Sequence, residues 1–218
     1  MSETAQSPAL REHFSTSEQQ RETTTLGMWV FLATEIMFFG GLFASYAIYR
    51  AWHPGAFERA STEMSIVLGT INTAVLICSS FTMALAVHAA QEGQWRRLTF
   101  FLGATIVIGA ILLAIKFTEY YQHYQGREAP GFWFVTDDPA PGPYQMFFVF
   151  YFAMTGLHAV HMIIGIGLLS VLMARSALER FDAVYHSPIV LTGLYWHFVD
   201  IVWVFLFAIF YLPGLHLK

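Results

Sequence analysis

Charge is scarce in this sequence. Asp, Glu, Lys and Arg make up 12% of its 218 residues, about half the share of an ordinary soluble domain. That deficit argues against a well-solvated globule. There is no long run of Lys and Arg and the formal net charge is −4, so nucleic acid is not an expected partner. Cysteine occurs once, as Cys78. A lone cysteine closes no intrachain disulfide and builds no zinc or iron–sulfur centre by itself; in its apolar run it reads as a small buried residue. The alternation of a membrane barrel is absent, and so is any evident internal repeat. The stretch MSETAQSPALREHFSTSEQQRETTTLG lacks an apolar core, so no cleaved secretory peptide is expected. Residues 1–26 read as a polar tail, flexible or lying on a surface.

What fills the chain is apolar. Hydrophobic residues make up 56% and aromatic residues 17%. Five segments, roughly 27–51, 64–90, 98–124, 144–174 and 188–212, are long enough to cross about 30 Å of hydrocarbon as helices. The predicted fold is therefore all-α: a polytopic membrane bundle of five transmembrane helices in one domain, 27–218. The punctuation agrees: WHPG at 52–55, QEGQWRR at 91–97 and the Pro- and Gly-rich stretch 125–145 separate the spans. Trp29, Trp52, Trp95, Trp133, Tyr144 and Tyr211 fall near predicted ends, as an aromatic belt would. With the N-terminus inside, the inner side holds Arg11, Arg21, Arg96, Arg97, Arg175 and Arg180. The outer side then holds Arg50, Arg59, Arg127 and Lys218. This asymmetry favours a cytoplasmic N-terminus and an external C-terminus.

Titratable residues inside spans are rare and default to functional candidates. Glu35 lies about eight residues into the first span, roughly 12 Å deep. It reads either as a protonated interhelical contact or as a proton-handling group. The small residues Gly40, Gly41, Ala44 and Ser45 follow it and suit close helix contact. Thr70, Asn72, Thr73, Ser79, Ser80 and Thr82 read as polar glue in the second span. Lys116, Glu119 and His123 share one helix face; they read as an ion-paired helix end, where Lys116 can snorkel, or as a contact with a lipid headgroup or a partner. His158 and His161 stand three apart, with Gly165 and Gly167 beyond them, and His197 and Asp200 stand three apart in the last span. His161 and His197 leave open a haem held between facing helices, and His158 with His161 and a carboxylate leave open a metal site. Hydrogen-bonded interhelical polar contacts explain the same residues without a cofactor. A haem-bearing cytochrome, a proton-coupled transporter and a supporting subunit all fit these residues.

Five motifs in order narrow the choice. YWHFVDIVWVFLFAIFY, GLHAVHMIIGIGLL, KFTEYYQ, INTAVLICSS and ATEIMFFGGLFASYAIY lie one to a span. Together they resemble subunit III of haem-copper terminal oxidases, over about residues 26–212. The resemblance is to the five-helix bacterial form; the first two helices of the seven-helix mitochondrial form have no counterpart. It implies a subunit without catalytic residues, metal or redox cofactor of its own. Haem and copper would sit in partner subunits, the catalytic subunit I and the copper-bearing or related subunit II. The family's role is to stabilise the catalytic subunit, support proton uptake and bind phospholipid. Glu35 matches the family's buried glutamate, and Arg175 a basic position that meets lipid phosphate. Lys116, Glu119, His158, His161, His197 and Asp200 match interhelical or lipid-facing polar positions. The implied location is the bacterial plasma membrane. Cytochrome c is the implied electron donor, with quinol oxidase and nitric oxide reductase settings as alternatives.

Overall fold

The computed structural model describes residues 16–126, 130–131, 134–178 and 186–215. The first fifteen residues of the expected tail, together with Arg127, Trp133, Arg180 and Lys218, lie outside them. Six helices follow in order: α1 Ser17–Trp52, α2 Pro54–Thr62, α3 Ile66–Gln91, α4 Trp95–Gln125, α5 Pro141–Ala177 and α6 Ser187–Tyr211. Five of them, all but α2, are long and apolar enough to cross a membrane, as the hydropathy pattern predicts. No strand occurs among the described residues.

α1 begins ten residues before the predicted first span, a correction to the reading of 1–26 as tail. Thr16 caps it by accepting a hydrogen bond from the Gln19 amide at 3.1 Å. The segment SEQQRETTT holds good helix formers, and Thr24 and Thr25 bond back to the Gln20 and Arg21 carbonyls. Thirty-six residues span roughly 54 Å, so the polar turns extend the helix beyond the hydrocarbon. Pro54 starts the short α2, where its missing N–H costs nothing. At the turn between α3 and α4, Gly93 takes φ 68°, a left-handed conformation that suits glycine.

α6 is the central helix: 56% of its apolar stretch is buried, against 11% for α1. α6 packs on α3 and α5, and α4 closes the other side of α3 and α5. α1 leans on the α5–α6 edge. At one end of the bundle α2 lies under the end of α6. There Ser61 donates to the Phe210 carbonyl and accepts from the Gly214 amide. Arg59 of α2 also grips Asp138 of the α4–α5 connection through two bonds of 2.7 and 3.1 Å. At the opposite end Thr99 and Ser176 share a hydrogen bond, which brings exposed Arg96, Arg97 and Arg175 to the same rim.

Several expectations are revised. Cys78 is exposed on the outer face of α3, a position that bilayer hydrocarbon accommodates as well as a core would. Tyr144 and Tyr211, read as belt residues, turn into the core, whereas Trp29 and Trp52 stay exposed. Gly40, Gly41 and Gly167 have no neighbour within 4 Å of where a Cβ would stand, so they mark no close contact. Gly165 does.

Candidate functional site

The polar residues gather in three places on the bundle axis. The first is built on Lys116 of α4. One helical turn brings Glu119 Oε2 to 2.9 Å from Lys116 Nζ. The other two ammonium hydrogens go to the hydroxyls of Tyr151 on α5 at 2.8 Å and Tyr211 on α6 at 2.7 Å. Tyr211 in turn donates to the Glu119 carboxylate. The rings of Tyr151, Trp203, Tyr211 and Tyr120 stand 4.5 to 5.4 Å from the ammonium, close enough for cation–π attraction. Lys116 and Glu119 are 4% and 3% exposed. The ion-paired reading holds, and Lys116 does not snorkel, because all three donors of its ammonium have acceptors inside the bundle. His123, one turn on, is also buried, against Phe148, Tyr151 and Phe152.

The second place joins α1 to α5. Glu35 Oε2 lies 3.2 Å from His161 Nε2, and His161 Nδ1 lies 2.9 Å from the Leu157 carbonyl. A carbonyl only accepts, so Nδ1 carries a proton. The Nε2 contact with the carboxyl is the ring's second hydrogen bond. Phe39 packs on the His161 ring at 5.3 Å. The Glu35 side chain keeps 19% exposure; within this chain it is partly rather than fully buried, because α1 covers only one edge of the bundle.

The third place is the α6 seam. His197 Nδ1 is 2.8 Å from Ser80 Oγ on α3 and 3.9 Å from Asp200 Oδ2. Trp196 donates to Ser79 and Trp203 to Thr73. The hydrogen-bond partners of this seam therefore lie on α3. Asp200 is buried, and neither carboxyl oxygen has a hydrogen-bond partner among the described residues.

His158 and His161 do not act together. His158 is buried against Trp203 at 5.3 Å, whereas His161 turns to α1. Both ring nitrogens of His161 are taken by protein groups. No group of three or more His, Cys, Asp or Glu is gathered for a metal among the described residues. Arg175 is exposed in the last turn of α5.

Outside the bundle axis, α1 and α6 flank an apolar groove of about 940 Å³, walled by Leu32, Phe39, Phe43, Phe198 and Phe205, with Arg50 at one end. Arg59 and Asp138 perturb each other at this end. The hydrogen bond from Arg59 holds the Asp138 carboxyl below its usual range, and the bond from Asp138 raises the guanidinium.

Tyr151, Tyr211 and Trp203 complete the Lys116 site and were not singled out for it in the sequence. Tyr211 near a span end carries a belt signal, and only the fold reveals that it turns inward.

The family model described as cytochrome c oxidase subunit III matches residues 10–215. A probable cytochrome c oxidase subunit 3 of Nocardia farcinica is 35% identical over 86% of this chain and 86% of its own length. Cytochrome c oxidase subunit 3 of Bacillus subtilis is 31% identical over 87% and 86%. The cytochrome bo(3) ubiquinol oxidase subunit 3 of Pseudomonas aeruginosa is 29% identical over 88% and 85%.

Proposed function

The chain belongs to the cytochrome c oxidase subunit III family, and from that membership we propose that it serves as the accessory subunit of a respiratory cytochrome c oxidase. It is a membrane protein of a haem-copper oxidase assembly. In this reading it packs against a catalytic subunit I that carries haem and copper, beside a copper-bearing subunit II, in a bacterial plasma membrane. The N-terminus faces the cytoplasm; the exposed Arg96, Arg97 and Arg175 at one rim support that orientation.

The family match over residues 10–215 carries the reading. The site chemistry supports it. The ammonium of Lys116, the ring of His161 and Nδ1 of His197 are engaged by protein groups. These residues join helices; they do not present a reactive centre. Redox chemistry is then the partners' work, and this chain contributes a stiff polar seam. Glu35 and His161, hydrogen-bonded at the α1 edge, suit a role in proton supply to the complex. The apolar groove with Arg50 at its end and the exposed Arg175 suit phospholipid, acyl chains in the groove and phosphate at the arginines. Quinol as electron donor is the second reading, favoured by the similarity to the Pseudomonas aeruginosa ubiquinol oxidase subunit.

Affinity purification of the tagged chain from its native membrane tests the proposal. We expect a haem-containing, oxygen-consuming complex that oxidises reduced cytochrome c. A complex that oxidises only quinol would select the second reading. Recovery of the chain without any haem protein would overturn both.

A further inference from the structure

We propose that α3 and α5 hold one internal water molecule between Asn72 and His158, beside the Lys116 cage. A small cavity of about 10 Å³ lies there, lined by Asn72, Leu76, Leu112, Lys116, His158 and Trp203 among others. That volume is on the order of what one water needs. Asn72 and His158 are each 5% exposed. Asn72 Oδ1 and His158 Nδ1 have no hydrogen-bond partner among the described residues, and both residues line the cavity. A buried polar group without a partner is costly, and hydrocarbon around the bundle offers none.

Water fits better than any other occupant of this size. Lys116 lines the cavity, but its three ammonium hydrogens already go to Glu119, Tyr151 and Tyr211. It therefore contributes its stem and a nearby positive charge. That charge opposes a cation, and two neutral donor atoms are too few to strip a cation of its hydration. An apolar gas would leave both polar atoms unsatisfied. A water donates one hydrogen to Asn72 Oδ1, which can only accept. To His158 Nδ1 it either donates the second hydrogen or accepts one, according to the tautomer. Either arrangement bridges α3 to α5. The hydroxyls of α3 otherwise reach α4 through Thr105 and α6 through His197, Trp196 and Trp203.

The inference does not depend on the oxidase reading, and its test uses the chain purified from membranes with whatever subunits accompany it. In a density map that resolves ordered solvent, one peak is expected within hydrogen-bond distance of Asn72 Oδ1 and His158 Nδ1. Well-ordered side chains with no peak there, while solvent is seen elsewhere, would overturn the proposal. So would direct bonds from both atoms to other protein groups, or uptake of xenon at this position under pressure. Thermal melting adds a second measurement. Asn72→Leu and His158→Leu should each lower the midpoint by a few degrees, since each orphans the other end of the bridge. The double variant should lower it by clearly less than the sum. Additive shifts would indicate two independent groups and no bridge.

Discussion

At the residue scale the Lys116–Glu119 pair decides the most. A buried ion pair is tolerable only when further hydrogen bonds satisfy its remaining donors and acceptors, and two tyrosines do that here. Removing one partner leaves a charge in a low-dielectric interior. Lys116→Met is expected to destabilise the assembled protein by about 3–5 kcal/mol. Glu119→Gln should cost less, because the amide oxygen still accepts from Tyr211. The Lys116→Met/Glu119→Gln double variant should lose less than the two single losses added together. Thermal inactivation midpoints of the four proteins in detergent check this; strict additivity would contradict the cage. The i, i+3 spacing made the pair legible in the sequence. The cage was not legible, because Tyr151 and Tyr211 lie 35 and 95 positions from Lys116 and no local pattern links them.

At the scale of elements, helix contact runs through Trp196. Its indole is clasped between two glycines: a Cβ at Gly109 of α4 would stand 3.0 Å from the ring, and one at Gly165 of α5 would stand 2.9 Å from it. The ring also donates to Ser79 of α3, so one side chain touches three neighbouring helices. Gly109→Ala and Gly165→Ala should each destabilise by about 1–3 kcal/mol, the cost of overpacking a filled interior. Gly167→Ala, two residues on with open space around it, should be neutral or slightly stabilising because alanine is the better helix former. Equal effects at 165 and 167, read from melting midpoints, would sink the clasp. A second element-scale prediction concerns α2. Asp138 is held below its ordinary value of 3.8 by Arg59 and the Ala140 amide. Its contribution is therefore fully present above that value, and it is lost as pH falls through the lowered one. Arg59 stays charged throughout. Amide exchange at Ala140, taken relative to an unstructured peptide, should lose protection only in that acid range. Asp138→Ala, which removes the acceptor of the Ala140 amide, should lack protection at every pH. Five long helices were legible from hydropathy, since in hydrocarbon composition almost dictates a helix. α2 and the first turns of α1 were not, because both are polar: α2 is held by docking on the bundle end and the first turns of α1 by the Thr16 cap.

At the scale of the whole molecule, the uneven attachment of α1 matters. α3 to α6 form a tight group, and α1 rests on one edge of it through two hydrogen bonds, Glu35 to His161 and the Tyr46 hydroxyl to the Ile209 carbonyl at 2.7 Å, and through ring contacts such as Phe39 against Phe198 and Phe43 against Phe205. Hydrogen bonds between membrane helices are worth about 0.6–2 kcal/mol each, so losing one should loosen α1 without unfolding the rest. If the chain is the supporting subunit of an oxidase, Glu35→Ala leaves the catalytic centre untouched. Initial turnover of a freshly assembled complex should then stay near the wild-type rate. What should change is endurance: a lower melting midpoint, earlier loss of this chain from the complex in detergent, and faster decline of activity during sustained turnover. Oxygen-electrode traces, with subunit content followed on the same samples, separate the outcomes. Immediate loss of turnover in a fully assembled variant would mean that Glu35 acts in the reaction itself, and the accessory role would fail.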